Sequence, residues 1–334
     1  MGNVVDRGLA SRARTVLVDQ TALLFLVLVA MVVVFTVINP IFFSSAVFAN
    51  ILQDWGPIVL MATAQTLVIV SGGIDLSVGA ALGLSGVVSA LAMRELTASG
   101  QSAWSAMLLG VLVAGAVGLA VGLVNGVLIN RVKLVPFIAT LCTMGAALGL
   151  SLVLTGGTPV AGGPAGSIQF SSKTYLGMFT VPIIVVTVIV VAAGLYLHKT
   201  RFGRWTYAIG SNQFAARGAG INVESHLYKI YALSGLLSGL AGMFVYLRLG
   251  SGSASSGVGQ ELSAIAAAVI GGTSLLGGVG RLAGTVIGAF IITGVLSGLI
   301  IIGVQANWQR VVIAALIAVA VGAQGLSNES LRAK

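Results

Sequence analysis

From end to end the chain alternates between long apolar stretches and short polar connections. Ten apolar segments recur, at roughly 21–38, 56–71, 76–93, 104–129, 134–154, 180–197, 227–249, 262–276, 282–303 and 308–323. Most approach the ~20 residues that cross a bilayer as a helix. The second and eighth are shorter, and each runs into a glycine pair: "VSGGIDLSVGA" at 70–80 and "VIGGTSLLGGV" at 269–279. Both copies keep the frame V-x-G-G-x-x-L-x-x-G, with Ser274 where the first copy has Asp75. The pattern predicts an all-α, polytopic membrane protein of about ten transmembrane helices. Gly72, Gly73, Gly271 and Gly272 should make tight re-entries or broken helices, because glycine supplies the backbone angles such turns require. Asp75, followed by Leu76 and Ser77, reads as an N-cap opening the third segment, and Ser274 as its uncharged counterpart. A gating contact is the alternative for these residues.

Composition strengthens the membrane reading. Of 334 residues, 57% are hydrophobic and 7% are charged, against about 25% charged in soluble domains. The mean hydropathy is +1.07, and 46 glycines suit closely packed membrane helices. A net charge of +9 would suit nucleic acid only if it were gathered on one soluble face. It is scattered between apolar segments, so no nucleic-acid partner is expected. The single cysteine, Cys142, excludes a disulfide framework. The first apolar run comes after Arg7, Arg12 and Arg14 and ends at Asn39-Pro40, without a small-residue cleavage site. It is read as a retained helix, not a signal peptide. Residues 1–20 and 324–334 are then terminal tails around a single 21–323 membrane domain.

Charge also sets an orientation. With the N-terminus inside and one crossing per segment, thirteen of the 17 lysines and arginines fall on the cytoplasmic side and four (Arg94, Lys173, Arg248 and Arg310) outside. That bias obeys the positive-inside rule and places both termini in the cytoplasm. Two connections are long: 155–179 outside, and 198–226 inside, the latter carrying both histidines, mixed charge and aromatics.

Catalytic chemistry is missing. There is no G-x-x-x-x-G-K-[ST] phosphate loop and no nucleophile elbow, and His198 and His226 have no partners at metal-ligand spacing. No metal and no cofactor is expected in the chain. The acidic residues Asp54, Asp75 and Glu261 stand near segment ends, where they cap helices or, on an alternative reading, couple an ion. Gln65, Asn125, Thr140, Thr143 and Ser234 are polar positions inside apolar segments, readable as helix–helix hydrogen bonds or as the lining of a substrate path.

Three stretches, "SGGIDLSVGA", "TRFGRWTYAIGSNQFAARGAGINV" and "ELSAIAAAVIGGTSLLGGVGRLAGTVIGA", in this order, resemble the permease subunit of bacterial ABC importers for monosaccharides, the branch of ribose, xylose, arabinose and galactofuranose importers. The likeness runs from about residue 20 to residue 323. It implies a fold similar to that of the vitamin B12-type importers, in a bacterial plasma (inner) membrane. It also implies a second permease copy, an extracytoplasmic sugar-binding protein, and a cytoplasmic ATPase that binds the ATP and magnesium. The resemblance further implies a short coupling helix that seats in the ATPase. It maps onto "AIGSNQFAARGAGI", with Gly210, Asn212, Ala215, Ala216, Gly220 and Ile221 matching the pattern and Arg217 as a candidate ion-pair partner. Ser211 stands where the family often has a second glycine. Asn212 is placed to cap that helix. Arg201 and Arg204 suit either acidic ATPase residues or lipid headgroups, and Phe202, Trp205 and Tyr207 an interfacial belt. On the outer side, 155–179 and 250–261 are the expected docking surfaces for the binding protein. A lone ion-coupled carrier is the competing reading, and it has no use for a coupling helix.

Overall fold

The computed structural model describes residues 22–332, with the backbone alone for Ala306 and residues 323–332. The tail at 1–20 lies outside the described residues. Helices dominate: α1 (Ala22–Ile38), α2 (Ser45–Val70), α3 (Val78–Ala98), α4 (Ala103–Asn130), α5 (Pro136–Thr155), the short α6 (Ser167–Ser172), α7 (Val181–Lys199), α8 (Arg201–Ser211), α9 (Gln213–Gly218), α10 (Val223–Leu249), α11 (Gln260–Ile270), α12 (Leu282–Ile301) and α13 (Ala306–Arg332). A two-residue hairpin, β1 (Thr174–Tyr175) with β2 (Phe179–Thr180), precedes α7. Among the described residues, α3, α4, α5, α7, α10 and α12 are long and apolar enough to cross a membrane.

Each of the ten apolar segments holds one helix, but two differ from expectation. The second is no short re-entry: α2 starts at Ser45, capped by the Ser44 hydroxyl, and runs 26 residues. Gln53 and Asp54 break its apolar run and hide its first turns from a hydropathy reading. The eighth is truly broken. Helix α11 has 11 residues, which at 1.5 Å per residue reach only about 16 Å, roughly half a bilayer core. The preceding residues 250–259 hold only a 3-10 turn at Ala254–Gly257 and pack along α3 so closely that a Cβ at Gly79 would overlap Gly257 O and one at Gly83 would come within 3.0 Å of Ala254 O. Gly252, Ala254 and Gly257 of this stretch are buried by that contact, while Ser255 and Val258 are exposed.

Helix α2 sits at the centre, with every residue from Trp55 to Val70 buried. A helix enclosed on all sides needs no amphipathic stripe, which is why its sequence shows none. Around it stand α10, α11, α12 and α7, while α3 and α4 pack on α10. The α4–α10 contact depends on glycine: a Cβ at Gly118 or Gly122 would overlap the α10 backbone at Gly235 or Tyr231. Small residues at such spacing let two backbones touch and gain dispersion contacts in lipid, where no hydrophobic force drives helices together. Large apolar side chains on the outer faces of α1, α4, α5 and α7, such as Val37 and Val153, are exposed. A bilayer covers such a surface.

Candidate functional site

Helices α2 and α11 end in the same way. At α2, Gly72 takes φ +88; its N–H bonds Ile69 C=O at 2.9 Å, and the Gly73 N–H bonds Val68 C=O at 3.0 Å. At α11, Gly272 takes φ +91; its N–H bonds Val269 C=O at 2.9 Å, and the Thr273 N–H bonds Ala268 C=O at 3.0 Å. Both are Schellman caps, in which a left-handed glycine lets the last carbonyls find donors. The backbone therefore pairs Gly72 with Gly272, whereas the shared letters pair Gly72 with Gly271. In the backbone register Asp75 faces Leu275, so Ser274 is not its counterpart. Ser274 also caps no helix: its hydroxyl accepts from Leu276 N–H within the loop, at 3.3 Å.

Asp75 is 1% exposed. One carboxylate oxygen accepts from the Ser77 N–H at 2.9 Å and the Ser77 hydroxyl at 2.6 Å; the other accepts from the Ser234 hydroxyl of α10 at 2.7 Å. The Asn125 amide of α4 donates to Ser77 Oγ at 2.8 Å, and the Thr143 hydroxyl of α5 donates to Asn125 Oδ1. Gln65 of α2 donates to the Asp75 carbonyl, and Thr140 of α5 to the Ile74 carbonyl at 3.2 Å. Thus Gln65, Asn125, Thr140, Thr143 and Ser234, scattered over about 170 positions of sequence, converge on one turn. All five are buried, and each is held by a partner inside the bundle. In this arrangement they tie α2, α4, α5 and α10 to the turn that opens α3 and do not line an open passage. The Thr143, Asn125 and Ser77 bonds run in series toward the Asp75 side chain, and such a chain polarises each bond in turn. The expected N-cap differs by two residues: Ser77 occupies the cap position of α3, and Asp75 holds Ser77.

The turn is in contact with the 198–226 segment through glycine. Gly210, the penultimate residue of α8, lies against the α2 end so closely that a Cβ would overlap Val70 O and come within 2.7 Å of Gly278 N. The Gly278 N–H itself bonds Val70 C=O at 2.9 Å, and a Cβ at Gly277 would lie 2.8 Å from Gly210 O and 3.1 Å from Gly72 Cα. The α2 cap, α8 and the loop after α11 therefore meet backbone to backbone, with no side chain between them to yield.

Beyond the junction the chain turns outward. Asn212 caps α9, its Oδ1 accepting from Ala215 N–H at 3.0 Å. Gln213, Phe214, Ala215, Arg217 and Gly220 are exposed, and the Phe214 ring is 86% exposed. Arg217 meets Glu224 at 2.7 Å. Ala216, expected at a close-packed partner contact, is 4% exposed and faces its own chain, against Ile209 and Val223 with Ile221 beside them. Phe202, expected in an interfacial belt, is likewise buried, 4.5 Å from the His226 ring. Arg201 lies over Trp205 at 4.5 Å. The two histidines serve packing and capping: His226 Nε2 meets the Thr206 hydroxyl at 2.8 Å, and His198 Nε2 accepts the Leu282 N–H that opens α12, at 3.2 Å. Tyr207 donates to Gly280 C=O at 2.7 Å. Burial raises its phenol above the usual value, outweighing Arg281, so the donor persists across neutral pH. Among the described residues no His, Cys, Asp and Glu cluster could hold a metal.

At the other end of the bundle Asp54 pairs with Arg248 at 3.0 Å, and Glu261 accepts from Gly259 N–H at 3.1 Å just before α11. The 155–179 and 250–261 connections are joined by a two-way backbone bridge between Val160 and Gly252, at 2.8 and 2.9 Å. Sequence reasoning missed two features. One is Phe214, whose signal was an aromatic in a segment otherwise small and polar. The other is a cavity of about 270 Å³ beside the Asp54–Arg248 pair.

Residues 47–321 match the profile of a family described as the permease component of the branched-chain amino acid transport system. The ribose import permease protein of Escherichia coli (strain K12) is 40% identical over 311 residues, covering 91% of this chain and 93% of that protein. That of Bacillus subtilis (strain 168) is 42% identical over 298 residues, covering 89% and 90%. The galactose/methyl galactoside import permease protein of Escherichia coli (strain K12) is 34% identical over 313 residues, covering 91% and 93%. No solved structure matches. A profile matched over most of the chain, with relatives this similar across nine-tenths of their length, means that the chain belongs to this family of membrane transport permeases.

Proposed function

We propose that the chain is the membrane subunit of an ABC importer that carries a monosaccharide across a bacterial inner membrane. A separate ATPase, which binds the ATP and magnesium, drives it from the α8–α9 end. That end is cytoplasmic, as are both termini; the Val160–Gly252 end receives an extracytoplasmic sugar-binding protein. Two copies of the chain form the transmembrane unit. The reading is carried by α9, an exposed, Asn212-capped helix joined to the bundle through Gly210, which is wedged against both glycine turns. Such a lever suits a protein moved by a partner and has no purpose in a carrier working alone. The ion-coupled alternative is further weakened because relatives over nine-tenths of the chain are named as import permeases for sugars.

On this reading the chain needs no reactive group of its own. ATP-driven movement of the partner shifts α9, α8 moves with it, and the backbone junction passes the shift to the cap of α2 and the loop after α11. Because the Asp75 network ties α2, α4, α5 and α10 to the turn after the first cap, that side moves as a unit. Purification with the ATPase and binding protein in lipid nanodiscs tests the proposal: sugar-loaded binding protein should stimulate ATP hydrolysis. Lack of assembly, together with proton-driven sugar uptake by this chain alone, would overturn it.

A further inference from the structure

A cavity lies between α2, α10, α12, α13 and the 250–259 stretch. Its volume is about 270 Å³, slightly under the ~300–1,000 Å³ of pockets for drug-sized ligands, so it suits one small molecule. Gln53, Asp54, Arg248, Ser256, Gln260 and Gln309 supply its polar wall, with Ile58 and Leu82 among its apolar residues. Two acceptors there have lost their usual partners. The Gln260 Oε1 is shielded from solvent and has no hydrogen-bond donor. Pro57, inside α2, has no N–H, so the Gln53 carbonyl one turn earlier lacks its helical donor. A buried acceptor without a donor, as at Gln260, is costly, and a site that has one suits a ligand rich in O–H. Charge narrows the class further. Asp54 and Arg248 neutralise each other at 3.0 Å, and Arg248 also donates to Asn50 C=O at 3.2 Å. The polar part of the wall is thus neutral overall, beside a larger apolar part, which disfavours an anion or a cation and favours a neutral polyol.

We infer that this cavity is a binding site for a single neutral sugar in transit, with Gln260 and the Gln53 carbonyl accepting from its hydroxyls. The assignment deepens the importer reading and rests on it. It also accounts for the short α11, which begins at Gln260 and so places that side chain on the cavity wall, where a longer helix would fill the space.

The test uses the full complex with its ATPase and binding protein, in liposomes, and radiolabelled D-ribose, D-xylose, D-galactose and D-allose. Gln260→Leu removes the acceptor and should cut uptake of the preferred sugar about three- to tenfold, the worth of one hydrogen bond. It should also change the uptake ratio between the stereoisomers allose and galactose. Gln260→Glu keeps an acceptor oxygen and should recover part of the loss. Gln309→Leu, on a different helix, should shift the same ratio, which covers the case in which the first variant fails to assemble. Unchanged rates and ratios in assembled Gln260→Leu and Gln309→Leu complexes would overturn the site while leaving the importer intact. A wild-type complex that assembles but transports none of the four sugars would instead overturn the sugar-importer reading and the site with it.

Discussion

The turns after α2 and α11 share one backbone cap and differ in the surroundings of the next few residues. After Gly72 the chain enters a dry polar network in which Asp75 is bound by Ser77 and Ser234 and, through its backbone, by Gln65. After Gly272 it runs to α12 through a loop whose Leu276 and Val279 are exposed, pinned to α2 by the Gly278–Val70 bond. One cap is held by buried side chains, the other by backbone contacts of the loop that follows it. Identical local geometry thus sets where a helix ends, while the surroundings of the adjoining residues decide what holds that end in place.

The largest effect should come from breaking the buried side-chain hold. Asp75→Ala strands three donors in a buried site, and a loss of about 3–5 kcal/mol is expected, enough to prevent stable insertion or purification. Thermal unfolding in detergent would register it, and Asp75→Asn should fall between, since an amide presents a donor where Ser77 or Ser234 already donates. Gly210→Ala comes next. Its Cβ has only backbone to push against, so about 1–3 kcal/mol should be lost, the usual cost of overpacking. Gly72→Ala and Gly272→Ala should each cost about 1–2 kcal/mol for left-handed strain. The comparison sharpens if Gly272→Ala is the cheaper, because its loop can relax. Ser274→Ala should change stability by less than about 0.5 kcal/mol, as for other positions outside the core. A cost for Ser274→Ala near that of Asp75→Ala would dissolve the contrast between the turns.

The order of the ten helices that fill the apolar segments could be read from hydropathy, because both lipid and a packed membrane interior demand apolar side chains. The early start of α2 could not, since Gln53 and Asp54 face a cavity where polarity is tolerated. Asn212 was recognisable as a cap because capping is local and needs only the next three residues. The Asp75 network was not legible: its members were each visible as polar residues in apolar runs, but Ser234 is 159 positions from its acceptor. The turn register was misread for a similar reason. Matching letters aligned glycine pairs, whereas the backbone aligns the single residue at positive φ. Ala216 suited a packed contact by its size, and it makes one, within its own chain.

Central to this picture is the glycine junction, which transmits movement of α8–α9 to the cap of α2 and the loop after α11. It is tested most directly by measuring ATP hydrolysis and sugar uptake side by side in reconstituted Gly210→Ala and Phe214→Ala complexes. Phe214→Ala should weaken ATPase attachment, so hydrolysis and uptake fall together. Gly210→Ala should retain the ATPase and its hydrolysis but lose most uptake, because the joint is displaced while the docking face is intact. Full uptake per ATP in an assembled Gly210→Ala complex would contradict transmission through the junction.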